Sequence, residues 1–140
     1  MTECRTCKHI HCLANETACP YHEPMRIYIV GPFSAPSKVG EAFNVAAAVK
    51  VWHLLTESGY HAFCPQAVSG PLDSVKALTP EFWYRWTLDE MRRSDAVCLV
   101  PDDEYHTPIG SSRGCSEEIE EAENRGIPVY TLADLVAVGV

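Results

Sequence analysis

The chain has 140 residues, 46% of them hydrophobic, with a formal net charge of −8, which fits one domain with a real core and argues against wholesale disorder. Its acidic balance, unbroken by any Lys/Arg cluster, disfavours polymeric nucleic acid as a partner, because that binding rests on phosphate neutralisation. No apolar run approaches the roughly 18 residues that span a bilayer, and the polar start MTECRTCKHIHC has no signal-peptide core, so a cytoplasmic protein without a membrane partner is expected.

Composition changes at Pro24. Before it lies a Cys/His-rich extension over residues 1–24; after it, strand and helix patterns alternate, which predicts one α/β domain over 25–140. The extension holds Cys4, Cys7, His9, His11, Cys12, Cys19 and His22. A Cys-x-x-Cys start suits tetrahedral zinc, so Cys4, Cys7, Cys12 and Cys19 are the candidate metal ligands of a small structural knuckle, with a His able to replace one Cys. The spacing matches no standard finger, and an iron–sulfur cluster or a redox-active tail are the alternatives. Cys64, Cys98 and Cys115 sit in apolar segments and read as small buried hydrophobes. An odd cysteine count without a secretory signal argues against a disulfide framework.

In chain order, Arg26-Ile-Tyr-Ile-Val-Gly31 reads as a buried strand stopped by Gly-Pro, followed by a loop from Phe33 to Gly40. Apolar residues recur with helical spacing from about Glu41 to Ser58, and Gly59 supplies the stop. Tyr60 to Cys64 predicts a second strand, and Gln66 to Leu78 an irregular stretch long enough to suggest a functional loop. Thr79-Pro80-Glu81 starts a helix to about Arg93, with Thr79 as N-cap. Asp95 to Val100 is a third strand, Asp102 to Ser111 a polar loop, and Ser112 opens a helix through Asn124. Gly126 ends that helix, Ile127 to Thr131 is the last strand, and the tail from Leu132 suggests a short helix. Strands of this kind imply a three-layer α/β/α, Rossmann- or flavodoxin-like fold with a mostly parallel sheet of four to five strands. Ligands of such folds bind beyond the carboxyl ends of the strands.

On the helix from Ser112, Cys115, Ile119 and Ala122 form the apolar stripe, and Glu118 borders it. A carboxylate partly withdrawn from water beside a loop crevice is a candidate for a tuned catalytic group. The pattern alone is equally that of an acidic surface helix with one Glu at its boundary. Trp83 and Trp86 are three residues apart, a spacing that fits core packing and also stacking on a base.

Three stretches together carry a resemblance. They are Ile27-Tyr28-Ile29-Val30-Gly31-Pro32-Phe33, Asp89 ahead of Asp95-Ala-Val, and Ser112-Arg-Gly114-Cys-Ser-Glu-Glu118-Ile-Glu-Glu-Ala122 before Gly126-Ile-Pro-Val. The core from Arg26 to Tyr130 resembles the nucleoside 2-deoxyribosyltransferase superfamily, which includes deoxynucleoside 5′-monophosphate N-hydrolases and CMP N-glycosidases. The aromatic helix Phe82-Trp83-Tyr84-Arg85-Trp86 is similar to uncharacterised members of it.

The resemblance implies Glu118 as the nucleophile at the anomeric carbon, Tyr28 orienting it, and Asp89 as a donor to the departing base. It implies Gly31, Pro32, Phe33, Ser112 and Gly114 as substrate-binding residues. Ser112 stands where transferases of free nucleosides tend to carry Asp, which favours a nucleoside 5′-monophosphate; the acidic loop Asp102 to His106 runs against that preference. The expected reaction is hydrolysis of the N-glycosidic bond, with base transfer or nucleotide sensing as alternatives. No cofactor is expected for catalysis. A homodimer is implied by the habit of relatives.

Overall fold

The computed structural model describes residues 23–68 and 78–136. Its sheet has four parallel strands, β1 (Arg26–Val30), β2 (His61–Phe63), β3 (Ala96–Leu99) and β4 (Val129–Thr131), in the order β2-β1-β3-β4. The predicted α/β class, parallel sheet and strand count are those observed.

β1 occupies the centre, with Tyr28 in register with Phe63 on one side and Val97 on the other. Four of its five residues are fully buried, as a strand covered on both faces requires. Side chains alternate between faces. Ile27 and Ile29 pack with Ala48, Val51 and Leu55 of helix α1 (Lys38–Glu57). Tyr28 and Val30 point the other way, against Leu88 and Met91 of α2 (Pro80–Arg92) and Cys115 and Ala122 of α3 (Arg113–Asn124). This two-residue period delivers Tyr28 to the side of the sheet where α2 and α3 lie.

α1 begins three residues before the expected Glu41, because the Ser37 side chain accepts the Gly40 N–H and so caps an earlier turn. Gly59, at φ +96°, follows its end. Thr79 caps α2 by accepting from the Phe82 N–H, with Pro80 in the first turn. Ser112 caps α3 by accepting from the Cys115 N–H. The polar loop before α3 contains a turn of 3₁₀-helix, Ile109–Ser111, that the sequence did not suggest. The final helix is a single turn, α4 (Leu132–Leu135), closed by a capping box between Thr131 and Asp134.

Cys64, Cys98 and Cys115 are free and buried, as expected. The candidate zinc ligands Cys4, Cys7, Cys12 and Cys19 lie outside the described residues, as does most of the stretch between Gln66 and Leu78. Among the described residues, no group of three His, Cys, Asp or Glu is placed to hold a metal ion, and no helix is long and apolar enough to cross a membrane.

Candidate active site

In the strand order β2-β1-β3-β4, the chain leaves β1 toward one edge and returns to pair β3 on the other side, so a crevice opens beyond their carboxyl ends. A cavity of about 660 Å³ occupies that place. Its floor is Tyr28 and Glu118, and loops after β1 and β3 supply Gly31, Phe33, Ser34 and Thr107. α2 contributes Trp83, Tyr84 and Thr87, and the start of α3 contributes Ser112, Arg113, Gly114 and Cys115.

Glu118 sits in the second turn of α3, beyond the first turn where the helix dipole would favour its charge. Its Oε2 is buried without a hydrogen-bond partner. Burial therefore dominates and pushes its pKa from 4.5 up to about 7; the Tyr28 hydroxyl pulls the other way, and the Glu117 charge adds a further rise. Tyr28 is itself held well above its ordinary range, first by burial and then by the Glu118 charge. The phenol thus stays protonated and available as a donor. Tyr28 Oη and Glu118 Oε2 influence each other's titration, yet neither completes a well-formed hydrogen bond. Catalytic hydrogen bonds are commonly loose before substrate binds and tighten with it.

The thiol of Cys115, also on the wall, is raised to about 11, chiefly by burial, so it is protonated at neutral pH and no match for the carboxylate as a nucleophile.

Gly31 lines the cavity, and a Cβ there would stand 2.6 Å from Val100 Cγ2 and 3.3 Å from Gln66 Nε2. Only glycine fits so close an approach. Its carbonyl accepts from Gln66 Nε2, and Cys64 Sγ reaches Gln66 Oε1 at 3.6 Å, so this buried amide ties the β1 loop to the turn after β2. Ser112 faces the cavity with its Oγ engaged as the α3 cap, and Gly114 follows it with open space at its Cα. Arg113 lines the mouth but is 92% exposed and paired with Glu117 at 2.9 Å.

The structure thus brings together Glu118, Tyr28, Gly31, Phe33, Ser112 and Gly114. Pro32 is buried behind the loop and is not part of the cavity wall. Asp89 lies on α2, 55% exposed and ion-paired with Arg93 at 3.1 Å, and is not among the residues that line the cavity. Two residues earlier, Thr87 takes the inward position, because a step of two along a helix turns a side chain through most of half a circle. Trp83 faces the cavity, whereas Trp86 packs edge-on against Phe63, which stacks on Tyr28. The sequence pattern did not single out Thr87 and Asn44, inside helices, or Gln66 and Thr107, in the segments after β2 and β3; an isolated polar residue leaves no periodic trace.

Neither a family model nor a curated protein sequence matches the chain. A solved structure does: a 2-deoxyribosyltransferase from the psychrotolerant bacterium Bacillus psychrosaccharolyticus. It matches at a TM-score of 0.55 and 20% identity, over 76% of this chain and 70% of that one. The two share a fold. That likeness covers the α/β architecture expected from the alternation of strand and helix patterns.

Proposed function

We propose that this chain is an N-glycosidase that hydrolyses a nucleoside 5′-monophosphate to free base and sugar phosphate, with Glu118 as nucleophile. The observation that carries the reading is the largely desolvated Glu118 carboxyl, its Oε2 buried, beside a protonated Tyr28 at the floor of a nucleotide-sized cavity. A desolvated carboxylate lacks the hydration shell that would blunt its attack. As the C1′–N bond breaks, its electron pair leaves with the base, which takes a proton from solvent. Glu118 bonds to C1′ and so captures the oxocarbenium-like charge. Water then attacks C1′ and gives a proton to solvent as the Glu118–C1′ bond breaks, which releases the sugar phosphate and regenerates the carboxylate. Tyr28 donates toward Glu118 and steadies it in its charged form.

The fold shared with a 2-deoxyribosyltransferase supports the alternative in which a second base, rather than water, takes the sugar from Glu118. Both outcomes pass through the same glycosyl-enzyme. The test is incubation with a panel of ribo- and deoxynucleoside 5′-monophosphates, with and without an acceptor base, following free base by liquid chromatography. Release by the wild type and not by Glu118→Ala is expected. No release or exchange from any monophosphate or nucleoside would sink the reading.

A further inference from the structure

Thr107, on the cavity wall, is held by three hydrogen bonds. Its N–H donates to Asn44 Oδ1 at 2.8 Å, its Oγ1 accepts from Asn44 Nδ2 at 3.1 Å, and its carbonyl lies 2.8 Å from His106 Nδ1. Asn44 comes from the buried face of α1 and is 1% exposed. The same Nδ2 reaches the carbonyls of Phe33 at 3.0 Å and Ser34 at 3.3 Å. His106, also buried, sets its Nε2 2.8 Å from the Pro101 carbonyl. The Asn44 amide therefore fastens the loop after β1 to the loop after β3, the His106 imidazole braces the β3 loop on itself, and Phe33, Ser34 and Thr107 all line the cavity.

This network decides where a proton points. The Thr107 N–H can only donate, so the Asn44 atom it meets is the oxygen, and the amide nitrogen is left facing Thr107 Oγ1. A hydroxyl whose lone pair is taken by Asn44 still has one proton to give. Among the described residues no acceptor takes it, and the side chain stands on the cavity wall. Ser34, Ser111 and Ser112 add hydroxyls to the same wall, while the charge of Arg113 is turned to solvent and Glu117. Neutral donors of this kind suit phosphate oxygens, which form strong charge-assisted bonds with them.

We propose that Thr107 is a specificity-determining residue whose hydroxyl donates to a phosphate oxygen of the nucleotide, and that Asn44 is the positioning residue that aims it. The proposal rests on the reading of the cavity as a nucleotide site, and the test separates the two. Calorimetric titration is carried out on the full chain bearing Glu118→Gln, which prevents turnover, with the four deoxynucleoside 5′-monophosphates and the matching nucleosides. Adding Thr107→Val is expected to weaken monophosphate binding roughly tenfold, what one hydrogen bond to a charged group is worth, and to leave nucleoside binding unchanged. Thr107→Ser restores the affinity. Asn44→Asp keeps the bond from the Thr107 N–H but cannot donate to Oγ1, so it reproduces the valine phenotype. Because Asn44 is buried, the Thr107 pair carries the test by itself. Unchanged affinities in Thr107→Val, or equal losses for nucleoside and monophosphate, overturn the assignment while leaving the nucleotide site standing. Absence of monophosphate binding by the parent protein overturns both.

Discussion

The two helices that wall the cavity bring opposite chemistry to it. α3 presents a carboxylate, a capping serine and a glycine; α2 presents two aromatic rings and a threonine. Both helices are rich in acidic residues, but α2 turns Asp89 to solvent and α3 turns Glu118 to the floor. Glycosidases that work with paired carboxylates place one on each side of the scissile bond, as acid and as nucleophile or base. Among the described residues, the lining of this cavity holds one. The difference assigns the charge chemistry to α3 and leaves α2 the task of shaping an apolar, base-sized wall.

The largest expected effect breaks that contrast if it is mistaken. Glu118→Gln should lower kcat for base release by about 10⁴-fold or more, the scale of removing a nucleophile. Asp89→Asn should leave kcat/KM within about twofold and cost little stability, since it loses only an exposed i,i+4 ion pair with Arg93. Steady-state kinetics of the two variants decide it. Comparable losses in both would return Asp89 to the chemistry.

The second effect reads the same carboxyl through stability. Glu118 titrates at about 7 in the folded protein against an ordinary 4.5, so the folded state binds the proton more tightly. The stability linked to that proton is fully present below about 4.5 and is lost as pH rises through about 7. A shift of this size corresponds to at most about 3 kcal/mol. Glu118→Gln removes the titration, so it should be more stable than the wild type at pH 8 by up to that amount, and nearly equal to it at pH 5. Urea unfolding at the two pH values measures the difference; an equal gap at both would show that burial does not govern this carboxyl.

The legible part of the molecule was what periodicity and capping express. Buried apolar runs at Ile27–Val30 and Ala96–Leu99, the Thr79-Pro80 start of α2 and the Gly126 stop each state a local rule, and the parallel sheet follows from their alternation. The stripe Cys115–Ala122 placed Glu118 at its border but equally fitted a surface helix, so it was the resemblance that singled Glu118 out. The placement of Asp89 was not legible, because the facing of one residue on α2 depends on how that helix docks on the sheet, and its apolar contacts through Leu88 and Met91 put Thr87 on the cavity wall. The Asn44–Thr107 clasp joins residues 63 apart, a pairing set by the crossover between strands and invisible to any local pattern.

The smallest effect sharpens the contrast within the site. Tyr28 stands on β1, between the two helices, and its hydroxyl lowers the Glu118 pKa that burial has raised. Because attack requires the ionised carboxylate, kcat/KM should rise with pH and level off above about 7. Tyr28→Phe keeps the ring stacked on Phe63 but removes the donor. The acid limb should then move to higher pH, and kcat/KM at pH 7 should fall about tenfold, the worth of a hydrogen bond to a charged group. At pH 9 most of that loss should be recovered, since a carboxylate already ionised needs less help. A loss that is the same at every pH would mean that Tyr28 acts on the substrate and not through Glu118, and α3 would no longer carry the charge chemistry alone.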